Sequence, residues 1–569
     1  MTNLIALYSQ SVKPVQSNSQ AKTKPEAMSP VSPAKNSNLL ADFLNYQASI
    51  NSAMVKPVQL NNEVKVNYKN DLKTLFIKNK AVTLAIVPRT FNAKDTNGNE
   101  RIDGNEEHGT FINAIERLDE VKSQGFNTLH ILPVHPPGKK KAMGTAGSLY
   151  SPADLLEIDP ILGGKEAFKK FIDEAHKRGI RVMLDLPSCA SYDLFEQAPD
   201  IMAKERDGLA KTPQGWNDIR MFQPWEDEGK RTLNPKLLDL HKQYVDMCVD
   251  LGVDGIRADV ARAKPTEFWD ILIPYSRSKD PQFGWLAEAY TYEDASPQAN
   301  MPYDRPEDSL RSGFESYYGQ YHIFHEWKGA KDLNDFVKQN LNMSYDLAKG
   351  KSVLGSFATH DDISPMFHGG VDYCNLTSGL QATLPMLNPY IVDGFQSGDY
   401  YVYPYANQKV DKTMTSNDEM TVHRGKLDIF TLSRKPGGKN PEIGDFMAKA
   451  FKMRDQHAEL IQKGTFVELE KEGDTNDQII TFARHLNGKT LLVVANKNID
   501  RSIAATINVP TLKADQKLDN LLPSYGGESI LQAADGKLKV DLGPARIHVF
   551  EIDTPTIERH TLKVYKQHL

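Results

Sequence analysis

Between about residues 80 and 460, short apolar segments alternate with longer segments of helical periodicity. The apolar segments are bounded by Gly or Pro, which is typical of buried strands in a parallel sheet. They lie at 83–88, 128–133, 181–186, 255–260, 284–289, 352–358 and 389–394, with a weaker candidate near 312–318. Gly179 and Gly252 follow two of the helical segments, where C-terminal glycine caps belong. The pattern predicts eight β/α units and therefore a TIM (β/α)8 barrel over residues 80–460.

Three further segments complete the predicted domain organisation. Residues 1–60 include a long stretch rich in Ser, Pro, Lys, Asn and Gln, which predicts disorder. Residues 187–234 are predicted to form an inserted loop subdomain after the third strand, because the barrel region exceeds the ~250 residues typical of this fold. From 465 to 569 the hydrophobic pattern alternates between turns, which predicts a C-terminal all-β domain of β-sandwich type.

Charge and cysteine content narrow the possible partners. The 569 residues include 68 basic and 74 acidic side chains, a net charge of −6, which gives no reason to expect binding to nucleic acid or to an anionic membrane. No apolar stretch approaches the ~20 residues of a membrane-spanning helix, and the N-terminus lacks the pattern of a secretory signal. Three cysteines cannot form a disulfide framework, so we expect a reducing, cytoplasmic location. The oligomeric state stays open.

Carboxylates stand at the predicted carboxyl ends of four strands, the end at which barrel enzymes carry their chemistry. Asp185 ends the third strand, Asp259 ends the fourth, Glu288 ends the fifth, and Asp361 follows segment 352–358. Any surface loop can hold one acidic residue, but four at equivalent positions indicate a site.

Two carboxylates that face each other across a sugar can cleave a glycosidic bond, because one attacks the anomeric carbon while the other protonates the leaving oxygen. Arg257 lies two residues before Asp259, on the same face of the strand, where its charge would keep that carboxylate ionised. The apolar residues before Glu288 are expected to raise the pKa of its carboxyl toward the range of a general acid. Asp259 is therefore the candidate nucleophile and Glu288 the candidate acid.

The segments GVDGIRADVA, GWLAEAY and FATHDD resemble, in this order, three conserved segments of the α-amylase superfamily, glycoside hydrolase family 13. The runs SLYSPADLLEIDPILGG and RVMLDLPS and the loop DTNGNERID are similar to the same template. The resemblance covers roughly residues 80–460, and the β domain resembles the C-terminal domain of the family. The run AKPTEFWDILI, followed by WLAEAYT, is similar to the maltosyltransferase branch that uses maltose 1-phosphate.

This resemblance implies a role for each acidic residue. Asp259 would be the nucleophile, Glu288 the acid/base, and Asp361 the residue that grips ring hydroxyls and stabilises the transition state. Substrate-binding or supporting roles are implied for Tyr150, Asp185, Arg257 and His360. The tyrosine matches one that stacks on the sugar before the scissile bond, and simple core packing is its alternative.

The chain also departs from the family pattern. Cys189 and Ala190 stand where Asn and His are usual, Arg262 and Ala263 replace a Lys-His pair, and Thr359 replaces an Asn. These changes alter the sugar subsites, whereas the three central carboxylates are kept.

The loop DTNGNERIDGNEE places oxygen ligands at alternate positions, a spacing that suits Ca²⁺. The candidate ligands are the side chains of Asp95, Asn97, Asn99 and Asp103 and the carbonyl of Arg101. The loop resembles an EF-hand loop, and family members often carry a structural metal after the first strand. A metal-free Asn/Gly turn is the alternative.

Two further features lie near the predicted barrel mouth. The run GKKK at 138–141 is interpreted as a solvated charged face, with contact to a phosphate-bearing donor as the alternative. Aromatic side chains that could stack on sugars, or equally pack in the core, are predicted in loops at Trp216, Trp225, Tyr290, Tyr317 and Tyr318.

The combined expectation is a retaining α-glycoside hydrolase that acts on α-glucans or oligosaccharides by double displacement. An α-glucan transglycosylase, including a maltosyltransferase that uses maltose 1-phosphate, is one alternative. A catalytically silent glucan-binding homologue is the other, and the changed subsite residues motivate it.

Overall fold

The computed structural model describes residues 68–97, 102, 106–143, 147–213, 217–289, 306–318, 327–346, 351–353, 359–360, 364–399 and 440–553. These residues belong to one compact unit, Val66–Leu569. The segment predicted to be disordered, residues 1–60, lies outside the described residues.

Eight parallel strands form one sheet. They are β1 (Thr83–Ile86), β2 (Thr128–Ile131), β3 (Arg181–Leu186), β4 (Gly255–Ala258), β5 (Gly284–Glu288), β6 (Ser316–Tyr318), β7 (Ser352–Val353) and β8 (Tyr390–Val392). Their order is β7-β6-β5-β4-β3-β2-β1-β8. Leu84 of β1 lies opposite Leu129 of β2 on one side and Ile391 of β8 on the other. Because the first strand pairs with the last, as in a closed (β/α)8 barrel, the predicted fold class is confirmed.

Helices connect and cover the strands. They are α1 (Leu72–Ile77), α2 (Pro88–Phe91), α3 (Phe111–Ala114), α4 (Leu118–Ser123), α5 (Gly164–Lys177), α6 (Tyr192–Gln197), α7 (Pro235–Leu251), α8 (Thr266–Lys279), α9 (Pro306–Ser312), α10 (Ala330–Asp346), α11 (Pro365–Thr383), α12 (Pro441–Gln456) and α13 (Ala458–Lys463). Helix α5 buries Phe168, Phe171, Ile172 and Ala175, the spacing of one helical face. The helix packs against β3, which places the strand inside the ring of helices.

The ends of α7 show why the chain folds locally as it does. The Asn234 side chain accepts hydrogen bonds from the backbone N–H groups of Lys236 and Leu237, and Pro235 occupies the first helical position. Gly252 ends the helix with φ of 89°, a left-handed conformation that glycine adopts without steric cost. The helix therefore stops where the sequence predicts, three residues before β4.

The insertion between β3 and β4 contains α6 and two short antiparallel ribbons. One ribbon pairs Cys189–Ala190 with Arg220–Met221, and the other pairs Trp225–Asp227 with Thr232–Leu233. The Ser151 hydroxyl donates to the Asp218 carbonyl over 2.8 Å, which fastens the insertion to the loop that follows β2. The insertion thus lies beside the carboxyl ends of the first barrel strands.

After α13 the chain forms two antiparallel sheets. Their strands are β9 (Thr465–Glu468), β10 (Lys471–Glu472), β11 (Ile479–Leu486), β12 (Lys489–Asn496), β13 (Ile503–Asn508), β14 (Ile530–Ala534), β15 (Lys537–Leu542) and β16 (Ile547–Asp553). One sheet has the order β9-β11-β12-β16 and the other β10-β13-β15-β14. Residues such as Leu492, Ile507 and Leu538 pack between them. Phe466, Phe482 and Val493 belong instead to the same apolar cluster as the barrel, so the two parts share a core.

One buried arginine ties the last barrel helix to its neighbours. Arg454 of α12 is 2% exposed. Its guanidinium donates to the backbone carbonyls of Asn79, Gln381, Ala382, Leu384 and Leu387. Burial lowers the pKa of Arg454 to about 9. These bonds satisfy carbonyls at the C-terminal end of α11 that the helix itself leaves without donors.

Candidate active site

The carboxyl ends of β3, β4 and β5 bring three of the predicted acidic residues together. Asp185 lies near the end of β3, Asp259 follows β4 directly, and Glu288 is the last residue of β5. In the β3–β4 register Asp185 lies opposite Arg257. The fourth predicted acid, Asp361, lies outside the described residues.

One guanidinium contacts all three carboxylates. Arg257 Nη1 donates to Asp185 Oδ1 over 2.9 Å and to Asp259 Oδ1 over 2.9 Å, and Nη2 donates to Glu288 Oε2 over 2.6 Å. Its side chain has no exposed surface. Burial alone lowers the pKa of Arg257, but Asp185 and Glu288 outweigh it, so the pKa lies well above the ordinary value and the residue is a fixed cation. The two candidate catalytic acids therefore converge on one charge.

Asp185 is buried more deeply than the other two acids. Its Oδ2 also accepts from the Tyr150 hydroxyl at 2.9 Å and contacts His130 Nε2 at 3.2 Å, and its carbonyl accepts from Tyr244. Burial raises the pKa of the Asp185 carboxyl, but the Arg257 charge and the His130 contact together hold it below its usual value. Because Asp185 and Arg257 have no exposed surface, we interpret their predicted substrate-binding role as support of the residues above them.

Asp259 is held on both carboxylate oxygens. Oδ1 accepts from Arg257, and Oδ2 accepts from the Ser188 amide at 2.9 Å and the Ser188 hydroxyl at 2.5 Å. Its side chain keeps 12% of its surface exposed, against 4% for Glu288. Of the three described acids, Asp259 is thus the most accessible, and its orientation is fixed from two sides.

Glu288 is linked to the β4 end through a strained residue. Its Oε2 accepts from the Val260 amide at 2.9 Å as well as from Arg257. Val260 has φ of 34° and ψ of 65°, the left-handed region that a β-branched residue rarely adopts. Such a conformation costs about 1–3 kcal/mol and persists where the surrounding structure imposes it, often at active sites. Here it aims an N–H group at the candidate acid.

Tyr150 and His360 form one wall beside the acids. Their rings stack with centroids 5.7 Å apart and an interplanar angle of 8°, and the Tyr150 hydroxyl lies 2.8 Å from His360 Nε2. The same hydroxyl reaches Asp185. The tyrosine is therefore positioned by polar contacts rather than by core packing alone.

Several residues of this cluster were not predicted from the sequence. His130, in the middle of β2, bridges Asp185 and the Tyr390 hydroxyl, from which its Nδ1 lies 2.8 Å away. Its signal was a polar residue within an apolar strand. Ser188 gave no signal. Tyr318 was predicted in a loop, but it lies in β6, where its hydroxyl contacts Arg257 and its ring stacks on Tyr390 at 5.6 Å.

The other aromatic candidates fall elsewhere. Tyr317 also lies in β6 rather than in a loop, and its hydroxyl donates to Asn340 of α10. Trp225 is 8% exposed and packs under Arg231. Trp216 and Tyr290 lie outside the described residues.

The lysines of the run 138–141 face α6. The backbone amides of Lys139 and Lys140 donate to Asp193, the Lys140 ammonium pairs with Glu196, and Lys141 lies 3.9 Å from the centre of the Tyr192 ring. The run is therefore partly neutralised by its neighbours.

The predicted calcium loop is described in part. Asp95 and Asn97 are described, whereas Asn99, Arg101 and Asp103 lie outside the described residues. Glu106 Oε1 accepts from the amides of Thr96 and Asn97, at 2.6 and 3.0 Å. These bonds join the described residues at the two ends of the loop. Within the described part of the chain, no cluster of three His, Cys, Asp or Glu side chains is formed.

None of the helices described in the structure is long and apolar enough to cross a membrane.

Fold and site together define a (β/α)8-barrel protein in which acidic residues from neighbouring strand ends gather around one buried arginine. Residues 85–282 match the model of the alpha-amylase catalytic domain. This match confirms the resemblance to the α-amylase superfamily that the sequence motifs predict.

Proteins with related sequences are named as transferases. The alpha-1,4-glucan:maltose-1-phosphate maltosyltransferase of Myxococcus xanthus is 30% identical over 430 residues, which cover 71% of this chain and 58% of that protein. Its namesake from Cereibacter sphaeroides is 27% identical over 305 residues, covering 50% of this chain and 42% of that protein. The chain thus spans about half the length of the curated relatives it matches.

Two solved α-amylase structures share this fold. A noncanonic maltogenic alpha-amylase from Thermotoga neapolitana superposes with a TM-score of 0.62 at 18% identity, covering 84% of this chain and 99% of that one. An alpha-amylase from Lactobacillus plantarum gives a TM-score of 0.61 at 18% identity, with coverage of 84% and 99%. At this identity the likeness concerns the fold.

Proposed function

We propose that this protein is a retaining α-glucan-active enzyme that works by double displacement. The observation that carries this proposal is the placement of Asp259 and Glu288, from neighbouring strands, on the two terminal nitrogens of the buried Arg257 guanidinium. A carboxylate nucleophile and a carboxyl acid/base that converge on one anomeric centre are what a retaining glycosidase needs.

Each residue has a defined part in this scheme. Asp259 attacks the anomeric carbon, and the bond to the leaving group breaks as Glu288 donates a proton to its oxygen. The product is a glycosyl ester on Asp259. Glu288, now a carboxylate, then takes a proton from the incoming hydroxyl, which attacks the same carbon and frees Asp259. Asp361 is proposed to grip ring hydroxyls, and Tyr150 and His360 to line the sugar next to the bond that is cleaved.

We propose further that the glycosyl group is transferred to the hydroxyl of a second sugar. The two sequence relatives described above carry the name alpha-1,4-glucan:maltose-1-phosphate maltosyltransferase, and the run AKPTEFWDILI is similar to that branch. With such a donor, inorganic phosphate leaves as the ester on Asp259 forms, and a glucan hydroxyl accepts the maltosyl group. With water as acceptor, the same ester gives hydrolysis.

Product analysis separates these possibilities. We expect incubation with maltose 1-phosphate and maltoheptaose to release phosphate and to yield chains longer by maltosyl units. Phosphate is measured colorimetrically and chain length by mass spectrometry. Shorter chains alone would rule out transfer and leave hydrolysis, whereas elongation of maltoheptaose without the phosphorylated donor would identify a transglycosylase of another kind.

The catalytically silent alternative has its own test. A 2-fluoro-maltosyl fluoride forms a stable ester with a retaining nucleophile, so we expect an adduct of one maltosyl group on the peptide that contains Asp259. Protein that binds glycogen but gains no adduct and turns over no α-glucoside would establish the glucan-binding reading instead.

We also propose that the loop around Asp95 and Asn97 binds a structural Ca²⁺. The closure of this loop by Glu106 supports the proposal. Because a ligand that binds the folded state stabilises it by RT ln(1 + [L]/Kd), we expect millimolar Ca²⁺ to raise Tm after EGTA treatment, and Asp95→Ala to abolish that rise. Mg²⁺ at equal concentration is the control. An identical Tm with EGTA and with Ca²⁺ would exclude the site.

We also propose that the protein resides in the cytoplasm. All three cysteines of the chain, Cys189, Cys248 and Cys374, are described, and each is buried and free. This supports residence in a reducing compartment such as the cytoplasm.

A further inference from the structure

A buried lysine contacts the serine that holds the candidate nucleophile. Lys264, between β4 and α8, is 1% exposed. Its ammonium donates to the Ser188 carbonyl at 3.3 Å and lies 5.1 Å from the centre of the Phe222 ring. Neither the sequence motifs nor the scheme above gives this residue a role.

Ser188 connects this lysine to Asp259. The amide and hydroxyl of Ser188 both donate to Asp259 Oδ2, while its carbonyl accepts from Lys264. Ser188 is 5% exposed, so this contact is made inside the protein. A lysine on the carbonyl and a carboxylate on the amide and hydroxyl hold the serine from opposite sides. The orientation of Asp259 thus depends on two supports, Arg257 on one oxygen and Ser188 on the other.

We propose that Lys264 is a positioning residue that holds Ser188, and through Ser188 holds Asp259, in the orientation that attack on the anomeric carbon requires. This inference rests on the proposed function of Asp259. A displacement of about 1 Å in a reacting group can cost about 10²-fold in rate, so such a support has a measurable kinetic effect.

The charge of Lys264 makes the support sensitive to pH. Burial lowers the pKa of Lys264 to about 8, although Cys189 and Asp259 act in the opposite direction. The Cys189 thiol and the His241 imidazole stay neutral in this range, because burial raises the pKa of the thiol to about 12 and lowers that of the imidazole well below its ordinary value. Above pH 8 the ammonium loses its proton, and its hydrogen bond and charge weaken together.

The test compares wild type with Lys264→Met, which keeps the length of the side chain and removes the charge. Thermal unfolding of Lys264→Met beside wild type establishes that the variant is folded before the rates are compared. We expect kcat/KM for maltosyl fluoride to fall about 10²-fold at pH 7, mainly through kcat. Fluoride leaves without a proton from Glu288, so the alkaline limb of wild type near pH 8 reports Lys264, and Lys264→Met should lack that limb.

Two variants check the route. Ser188→Ala keeps the hydrogen bond from the backbone amide to Asp259 and loses the one from the hydroxyl. We therefore expect kcat/KM to decrease about tenfold. Lys497→Met is the matched control, because burial also lowers the pKa of Lys497 but this lysine faces Trp327 and Asp332. The control should keep both the rate and the pH profile of wild type.

A crystal structure of Lys264→Met gives a readout that needs no turnover. The proposal predicts a displaced Ser188 and a lost Ser188–Asp259 contact. An active wild type whose pH profile and Asp259 geometry survive in Lys264→Met would overturn the inference and leave the proposed function standing. An inactive wild type in which the substitution still displaces Asp259 would remove the proposed function and keep the positioning contact.

Discussion

Asp259→Asn is expected to lower turnover by about 10⁴-fold or more, because the amide cannot form the glycosyl ester on which both half-reactions depend. The substitution is nearly isosteric, and Ser188 can still donate to the remaining oxygen. The variant should therefore stay folded. The measurement is kcat on maltoheptaose, with and without maltose 1-phosphate, together with the mass of the protein after exposure to the fluorinated donor.

Glu288→Gln serves as the comparison in the same experiment. It removes the proton donor, so we expect a loss of about 10²–10⁴-fold on maltoheptaose. The loss in kcat/KM should be much smaller on maltosyl fluoride, since fluoride leaves without protonation in the first step, whereas the second step still lacks its base and should limit kcat. Asp259→Asn should be inactive on both donors. If Asp259→Asn kept more than a few per cent of kcat, or if the two variants lost activity equally on both donors, the assigned roles would be wrong.

Arg257→Met is expected to lower the free energy of unfolding at pH 7 by about 3–5 kcal/mol and to lower activity as well. The substitution leaves Asp185 and Glu288, which are 0% and 3% exposed, without the cation that both contact. Removing one partner of a buried ion pair leaves a charge in a medium that solvates it poorly. Urea unfolding at pH 7 measures the effect, and Arg257→Lys, with one charge but no planar fork, should fall between the two.

The pH dependence of this loss has a definite sign. In wild type the pKa of Asp185 is lowered in the fold, so its contribution to stability is present above the unfolded pKa and is lost as pH falls through the folded one. In Arg257→Met the Arg257 charge no longer opposes burial, which favours the protonated acid, so acidification from pH 7 to 5 should narrow the difference in unfolding free energy between variant and wild type. A difference in unfolding free energy that widens over this range would show that Arg257 does not stabilise the charged form of these acids.

The barrel could be predicted from the sequence because its strands are short apolar segments separated by turn residues. The weakest prediction, near 312–318, shows the limit of this approach. Glu315 precedes β6 and is 1% exposed, which looks unfavourable in isolation, yet its carboxylate contacts Arg277 of α8 and accepts from the Trp285 amide. Such a partner, far away in the chain, cannot be recognised from local periodicity.

The candidate site divides in the same way. Asp185, Arg257, Asp259 and Glu288 could be predicted because strand ends in a parallel barrel meet at one edge. Ser188, Val260 and Tyr318 could not, since an amide from the insertion, a strained backbone and a tyrosine from another strand depend on tertiary packing. The predicted Asp361 and three of the five calcium ligands fall outside the described residues, so their roles stay predictions.

The five carbonyls gathered by Arg454, together with the core that β11 and β12 share with the barrel, bear on how this protein can be taken apart. A fragment that stopped before α12 would expose the C-terminal end of α11 and leave part of the barrel's apolar surface uncovered. Chimeras with related proteins should therefore exchange the loops at the mouth of the barrel. Helix α12 and both antiparallel sheets should come from the same protein as the barrel strands.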